Sequence, residues 1–284
     1  MRYVQYAVPP PLAPWLECVW RLTGPRDPAA PGQRVCPDGC LELVIHAGDG
    51  FRARIDDGEP YTQPDRLVVG QMVRPVTLEA TGRVDVWGVR AHPWGAGLFF
   101  DGPVSHLTGR IEHAGDVAPD LSNALADAVL DRAGDDAFVV DALCRVLAGR
   151  ARATAAPDPL CAGAAARLLA SPAASIARLA ARSGLSERQF ERRFLAGVGL
   201  TAKTFARIAR FQRVVGLLDG APETLAAAAI EGGYYDQSHL ARDVRAFAGS
   251  STSLLLQRDS PLTEHFLRAR RMSGFSKTAP AALA

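Results

Sequence analysis

Hydrophobic and polar positions change their spacing twice along this chain of 284 residues. Up to about residue 115, apolar residues come in short runs rich in Val, Ile and Leu, broken by Gly, Pro and Asp. That pattern predicts strands over Leu41–His46, Phe51–Ile55, Leu67–Val69, Val76–Ala80 and Val84–Arg90. Short strands this close together predict an antiparallel barrel or sandwich. Pro37-Asp38-Gly39 reads as a tight turn, because Pro presets φ and Gly accepts a positive one. The period then lengthens: Leu121, Leu125, Ala128 and Val129, and later Val139, Val140, Leu143 and Leu147, recur at helical spacing on either side of Gly134-Asp135-Asp136. Ala151–Pro159 holds two prolines and no apolar period, which predicts an interdomain linker. From Leu160 to about Leu267 the chain reads as helices with short turns, and Arg268–Ala284 reads as a disordered tail.

The helical part contains a repeat. SIARLAARSGLSERQFERRFLAGVGLT begins at Ser175, and TLAAAAIEGGYYDQSHLARDVRAFAGSST begins at Thr224. Each copy opens on an N-capping residue, Ser175 or Thr224, and runs into an Ala-rich helix. Ala180 and Ala229 each stand four residues before a turn glycine, Gly184 or Gly233. A second cap, Ser186 or Asp236, starts the second helix. Its inward pairs, Phe190 with Phe194 and Leu240 with Val244, are four residues apart and share one face. Gly199 and Gly249 close the two copies. Helix, glycine turn and capped helix form the helix-turn-helix pattern. The outward faces carry Arg188, Gln189, Glu191, Arg192 and Arg193, then Gln237, Ser238, His239, Arg242 and Arg245. Arg reads guanine, Gln reads adenine and Ser reads either base. Between the copies, Phe205, Ile208, Phe211, Val215 and Leu218 mark the buried stripe of a connecting helix over Lys203–Leu218. At 1.5 Å per residue it spans ~24 Å, a rod suited to holding two readers about one DNA turn, ~34 Å, apart.

Charge sharpens the division. Residues 1–159 carry 15 Arg against 21 Asp and Glu, a balance of −6, whereas 160–274 carry 16 Arg and Lys against 9 Asp and Glu, a balance of +7. A basic C-terminal part on an acidic N-terminal one points to a polyanion met by the C-terminal part alone. No stretch approaches the ~18 apolar residues that span a bilayer. The first residues lack a charged-then-apolar leader pattern, so the cytoplasm is the expected location.

Residues 160–262 resemble the DNA-binding domain of the AraC/XylS family of transcription regulators, through GLSERQFERRF, the connecting helix with Arg210 and Leu217-Leu218, and GGYYDQSHLARDV. The resemblance implies base contacts from Arg188, Glu191 and Arg192, then Gln237, Ser238, Ala241 and Arg242. The chain departs from the family at Ala202 and Thr252, where Pro is usual, at Val244, where an aromatic is usual, and at Ala228-Ala229, where Ile-Ala is usual. The second unit is thus expected to read bases less strictly and to grip phosphates. PDGCLELVI (Pro37–Ile45), VGQMVRPVTLEATGRVDVWGVR (Val69–Arg90) and WGAGLFF (Trp94–Phe100) resemble a sensor-type domain found ahead of such a module, with Ala91-His92-Pro93-Trp94 in place of the usual Phe-x-Pro-Gly.

The expected fold is α+β. It comprises a β-rich sensor domain over 1–118, a helical linker and hinge over 119–159, an all-α AraC-type domain over 160–267 and a tail over 268–284. The expected function is sequence-specific binding of double-stranded DNA that activates or represses transcription, with RNA polymerase as partner and no cofactor. A small-molecule effector is expected in the N-terminal domain, near Trp20, Trp87, Arg90, His92 and Trp94. Arg90 with His92 could pair with an anionic effector. Two other readings stay open. Cys36 and Cys40, with Cys18, His46 and His92, could serve a thiol or metal sensor, or a Cys could accept an alkyl group as in DNA repair. Alternatively the N-terminal domain could only dimerise a constitutive DNA binder. No serine elbow, phosphate loop or HExxH pattern suggests an enzyme.

Overall fold

The computed structural model describes residues 1–28, 32–131, 134–219 and 225–252. The strands are β1 (Arg2–Tyr6), β2 (Leu16–Gly24), β3 (Gln33–Val35), β4 (Leu41–His46), β5 (Phe51–Ile55), β6 (Tyr61–Thr62), β7 (Arg66–Val69), β8 (Val76–Ala80), β9 (Val84–Ala91) and β10 (Ile111–His113). Helices α1 (Ala114–Val117), α2 (Pro119–Leu130), α3 (Asp136–Ala153), α4 (Pro159–Ala170), α5 (Ile176–Arg182), α6 (Glu187–Val198), α7 (Ala202–Asp219), α8 (Leu225–Glu231) and α9 (Gln237–Ala248) follow. The expected tail over 268–284 and the expected cap Thr224 lie outside the described residues.

Two antiparallel sheets form, in the orders β1-β2-β9-β4-β7-β10 and β3-β8-β5-β6. Neither closes on itself, so of the two expected forms the sandwich-like one is present and the closed barrel is not. The larger sheet is covered on both faces, which explains why β9 is buried at every position. One face packs on α2 and α3: Val19, Leu43, Trp87, Val89, Leu125, Leu143 and Leu147 share a single core. The helices expected as a linker therefore complete the core of the β layer. Asp135 caps α3 by accepting from the Phe138 amide. The other face looks toward the small sheet.

The proline-rich stretch is shorter than its sequence suggests, because α3 runs to Ala153 and α4 starts at Pro159. The C-terminal helices gather on α7, whose Phe205, Ile208, Phe211, Val215 and Leu218 are all buried. That core also takes in Cys36 from the β domain, with Val73 and Trp94 packed against it. No described helix is long and apolar enough to cross a membrane.

Candidate functional site

In the first helix-turn-helix unit, Ser175 caps α5 by accepting from the Arg178 amide. Ala180 is buried, and Gly184 takes φ +67° in the turn. Ser186 and Gln189 then form a reciprocal capping box on α6. Phe190 and Phe194 stack at 5.9 Å, and Phe194 meets Phe205 of α7 edge-on at 5.8 Å. Three outward residues are engaged within the protein. Gln189 accepts from the Ser186 amide, Glu191 accepts from the Ala202 amide at the start of α7, and Arg193 donates twice to Asp158. Arg188 and Arg192 are exposed, with no hydrogen bond or ion pair among the described residues.

The second unit reaches the same shape by other means. Gly233 takes φ +89°, and Asp236 caps α9 by accepting from the His239 amide. Leu240, Val244 and Phe247 face inward, and Phe247 packs on Phe211 at 5.6 Å. The aromatic missing at Val244 is supplied one turn later. Asp243, 2% exposed, accepts from Arg207 of α7 at 2.7 Å and from the Tyr234 hydroxyl at 3.1 Å. His239 meets Tyr234 edge-on and lies 3.5 Å from Arg210. Gln237, Ser238, Ala241, Arg242 and Arg245 are exposed.

The C-terminal end of each second helix rests on the β domain. Gly199, at φ +86°, abuts Val104 and Gln71, and its carbonyl accepts from Thr108. Gly249, at φ +58°, abuts Pro75, and the neighbouring Ala248 carbonyl accepts from Arg34 at 2.7 Å. Between them, the Pro37-Asp38-Gly39 turn meets α7. Gln212 donates to the Pro37 carbonyl at 2.5 Å, and Gly39, at φ +80°, lies under the Phe205 ring. A Cβ on Gly39 would come within 2.9 Å of that ring, so both its dihedral and its space demand glycine.

Behind this contact, a cavity of about 100 Å³ opens between the two sheets. Its walls are mainly apolar and include Trp20, Val44, Phe51, Met72, Val76 and Val86. Gly88 makes room for the Trp20 indole, since any Cβ there would come within 2.0 Å of it. Asp38, Glu42 and Arg90 make one polar patch of the lining, and His46 and Gln63 add further polar groups. Arg90 is 2% exposed and fully engaged: Nε meets Glu17 at 3.3 Å, one terminal nitrogen meets Glu42 and the other meets Asp38. Burial alone would disfavour its charge, but Asp38, Glu42 and Glu17 hold it firmly protonated. Burial pushes the Glu42 carboxyl up to about 7, against the pull of Arg90 and with help from Asp38 and Glu17. Burial lowers His46 below its usual value and keeps it neutral.

A profile described as a helix-turn-helix domain matches residues 179–258. The C-terminal domain is an AraC-type helix-turn-helix domain. A second profile, a domain of unknown function (DUF6597), matches residues 4–112. No curated protein matches the chain. Among solved structures, ToxT from Vibrio cholerae is similar at 10% identity, covering 84% of this chain and 98% of that one at TM-score 0.48. ToxT bound to an unsaturated fatty acid is similar at 10% identity, covering 83% and 94% at TM-score 0.46.

The AraC-type domain makes the chain a DNA-binding transcription regulator. Of its expected contact residues, the geometry leaves Arg188, Arg192, Gln237, Ser238, Ala241, Arg242 and Arg245 on open faces, while Gln189, Glu191, Arg193 and His239 also serve the domain itself. The expected effector residues divide. Trp20 and Arg90 line the cavity. Trp87 faces the opposite core, beneath Arg21 at 5.0 Å. His92 and Trp94 stack on each other at 4.9 Å and meet the Ala13 and Pro14 carbonyls. Arg90 is not open to an anionic effector as expected, because three carboxylates already occupy it. The lining groups Asp38, Glu42, His46 and Phe51 were not anticipated. The described cysteines are all buried, and burial pushes the Cys161 thiol up to about 12 and raises Cys18 and Cys144. Raised thiols react poorly as nucleophiles. Among the described residues, no three His, Cys, Asp or Glu side chains are grouped to hold a metal.

Proposed function

We propose that this chain is a cytoplasmic, sequence-specific regulator in which a small molecule held between the two sheets sets the posture of two DNA-reading helices. One observation carries the reading. The segments that wall the cavity, Val35–Asp38 and Met72–Val76, adjoin or contain the residues that touch α6, α7 and α9: Arg34, Pro37, Gly39, Gln71 and Pro75. A ligand that prefers one arrangement of these walls changes the populations of the DNA-binding domain by its differential affinity for the two states. The domains behave as a β-rich sensor over 1–118 completed by the helices of 119–159, and a reader over 160–267. Arg188 and Arg192 supply the base contacts of the first reader. Gln237 and Ser238 supply those of the second, and Arg242 grips a phosphate. The two enter successive major grooves, and RNA polymerase is the downstream partner.

The test is footprinting of genomic fragments selected by the full-length protein. Two protected patches one helical turn apart on one DNA face are expected. Log affinity should fall linearly with log salt, by ~0.9 for each phosphate contacted. Gln212→Ala, which cuts the contact to Pro37, should change operator affinity while leaving the fold intact. A folded protein without sequence preference at low salt would overturn the reading. An unaltered affinity in the Gln212 variant would leave the β domain as a dimerisation or scaffold unit.

A further inference from the structure

The turns of the two helix-turn-helix units differ by one residue. In the first, the Gly184 amide donates to the Ala181 carbonyl and the Leu185 amide to the Ala180 carbonyl. In the second, the Gly233 amide donates to the Ile230 carbonyl and the Tyr234 amide to the Ala229 carbonyl, at the same offsets. Both recognition helices then start on a cap that accepts from the amide three residues on, Ser186 from Gln189 and Asp236 from His239. Leu185 adjoins its cap, whereas Tyr235 stands between Tyr234 and Asp236. Tyr235 is therefore the inserted residue.

The two adjacent tyrosines have opposite surroundings. Tyr234 is 4% exposed. Its hydroxyl donates to Asp243 at 3.1 Å, its ring meets His239 edge-on at 5.0 Å, and the Arg210 guanidinium lies over it at 5.2 Å. With Gly233 at φ +89° on one side and the capped start of α9 on the other, the turn is anchored at both ends. Tyr235 is 91% exposed, and its side chain makes no hydrogen bond or ring contact among the described residues. A scattered surface aromatic is ordinary. This one is an insertion in a fixed turn, at a place where chain reversal alone selects Gly, Asn, Asp or Ser. Neither packing nor turn geometry accounts for a phenol there.

Its place on the recognition helix gives it a partner. In the docking proposed above, on which this inference rests, Gln237 and Ser238 at the start of α9 reach base edges. The residue ahead of the cap is then where the chain leaves the groove, and the wall of the groove is a row of phosphates. Phosphate oxygens accept hydrogen bonds, and a tyrosine hydroxyl can donate one. The neighbouring Asp236 carboxylate is turned to the N-terminus of α9, where the His239 amide and the helix dipole offset its charge.

We infer that Tyr235 is a DNA-positioning contact that the first unit lacks: its hydroxyl donates to a backbone phosphate at the edge of the groove that α9 enters, and so fixes the depth and register of that helix. The contact carries no sequence information. Because the donor is neutral, it strengthens binding without releasing a counterion.

The test compares Tyr235→Phe, which keeps the ring and removes the donor, with wild type as full-length protein. Affinity for operator and for scrambled DNA should fall alike, ~3–10-fold. The slope of log affinity against log salt should stay at its wild-type value, whereas Arg242→Ala should reduce it by ~0.9. The melting temperature should not move, since the side chain is exposed. Operators carrying one neutral methylphosphonate, scanned along the second half-site, should locate the phosphate. At one linkage the modification should weaken wild type and leave Tyr235→Phe no weaker than on unmodified DNA. Wild-type affinity in Tyr235→Phe would overturn the inference, as would a methylphosphonate scan without such a linkage. A loss confined to the operator would overturn it by making Tyr235 a base reader. Unchanged DNA binding with altered transcription would overturn it in favour of a protein partner. Gln237→Ala and Arg242→Ala separate this inference from the docking beneath it. If both bind DNA like wild type, α9 does not enter the groove and the two fall together. If they weaken binding and Tyr235→Phe does not, the phosphate contact alone falls.

Discussion

The two helix-turn-helix units have one shape and different interiors. In the first, the core is aromatic, Phe190 stacked on Phe194 and Phe205 edge-on to it, and polar outer-face residues brace the helix: Gln189 at its cap, Glu191 at the start of α7 and Arg193 on Asp158. In the second, the core is aliphatic near Val244, closes with Phe247 on Phe211, and contains the Asp243–Arg207 pair under Tyr234. The difference teaches that the number of polar residues on a recognition helix is not the number available to DNA. Arg188 and Arg192 remain in the first unit, and Gln237, Ser238, Arg242 and Arg245 in the second.

The comparison breaks most readily at the cores. Phe194→Ala should cost ~3–5 kcal/mol in urea unfolding, since the ring is fully buried between two others. Val244→Ala, at the matching position, should cost only ~1.5–2 kcal/mol. Equal costs would mean that the units draw equally on these positions. Asp243→Ala should come next, at about 2–3 kcal/mol, because it strands the buried Tyr234 hydroxyl and unpairs Arg207. The Arg207 side chain is 38% exposed, so water absorbs part of that loss. The same deletion at Arg193, on the surface pair with Asp158, should leave the melting temperature nearly unchanged.

The readers themselves are compared on DNA. Arg192→Ala should remove ~1–3 kcal/mol of operator preference, and Arg242→Ala should weaken operator and scrambled DNA evenly, both measured at one salt concentration with melting temperature as control. If Arg242→Ala instead lost preference, the second unit would be the stricter reader. The smallest effect on DNA binding is expected at Gln189→Ala. Half of the capping box goes, about 0.5–1 kcal/mol of stability, with operator preference retained. Loss of preference without loss of stability would make Gln189 a base reader after all.

Local chemistry was the legible part of this chain. The ends of β4, β5 and β8 follow from β-branched runs between turn residues, and Ser186, Asp236 and the turn glycines act within a few residues of themselves. Strands β1 and β2 escape the same reading, because Tyr, Gln, Glu, Cys, Trp and Arg interrupt any apolar run there. What joins distant segments was hidden. Asp158 meets Arg193 across 35 positions, and Arg90 collects Glu17, Asp38 and Glu42 from three places. The cavity was hidden for a related reason. β4 is covered on both faces, so its alternation places Glu42, Val44 and His46 together without saying that they border a void. One signal was in plain view: Ser186 followed three residues later by Gln189 is the capping-box spacing.

The bond from Gln212 to Pro37 joins positions 175 residues apart. During synthesis at ~5–20 residues per second, roughly 10–35 s separate the emergence of the two partners. The strands before Pro37 are made ahead of that interval and those after it within it. The turn therefore exists as a finished surface before α7 leaves the ribosome, and the reading domain condenses onto a template rather than folding beside one.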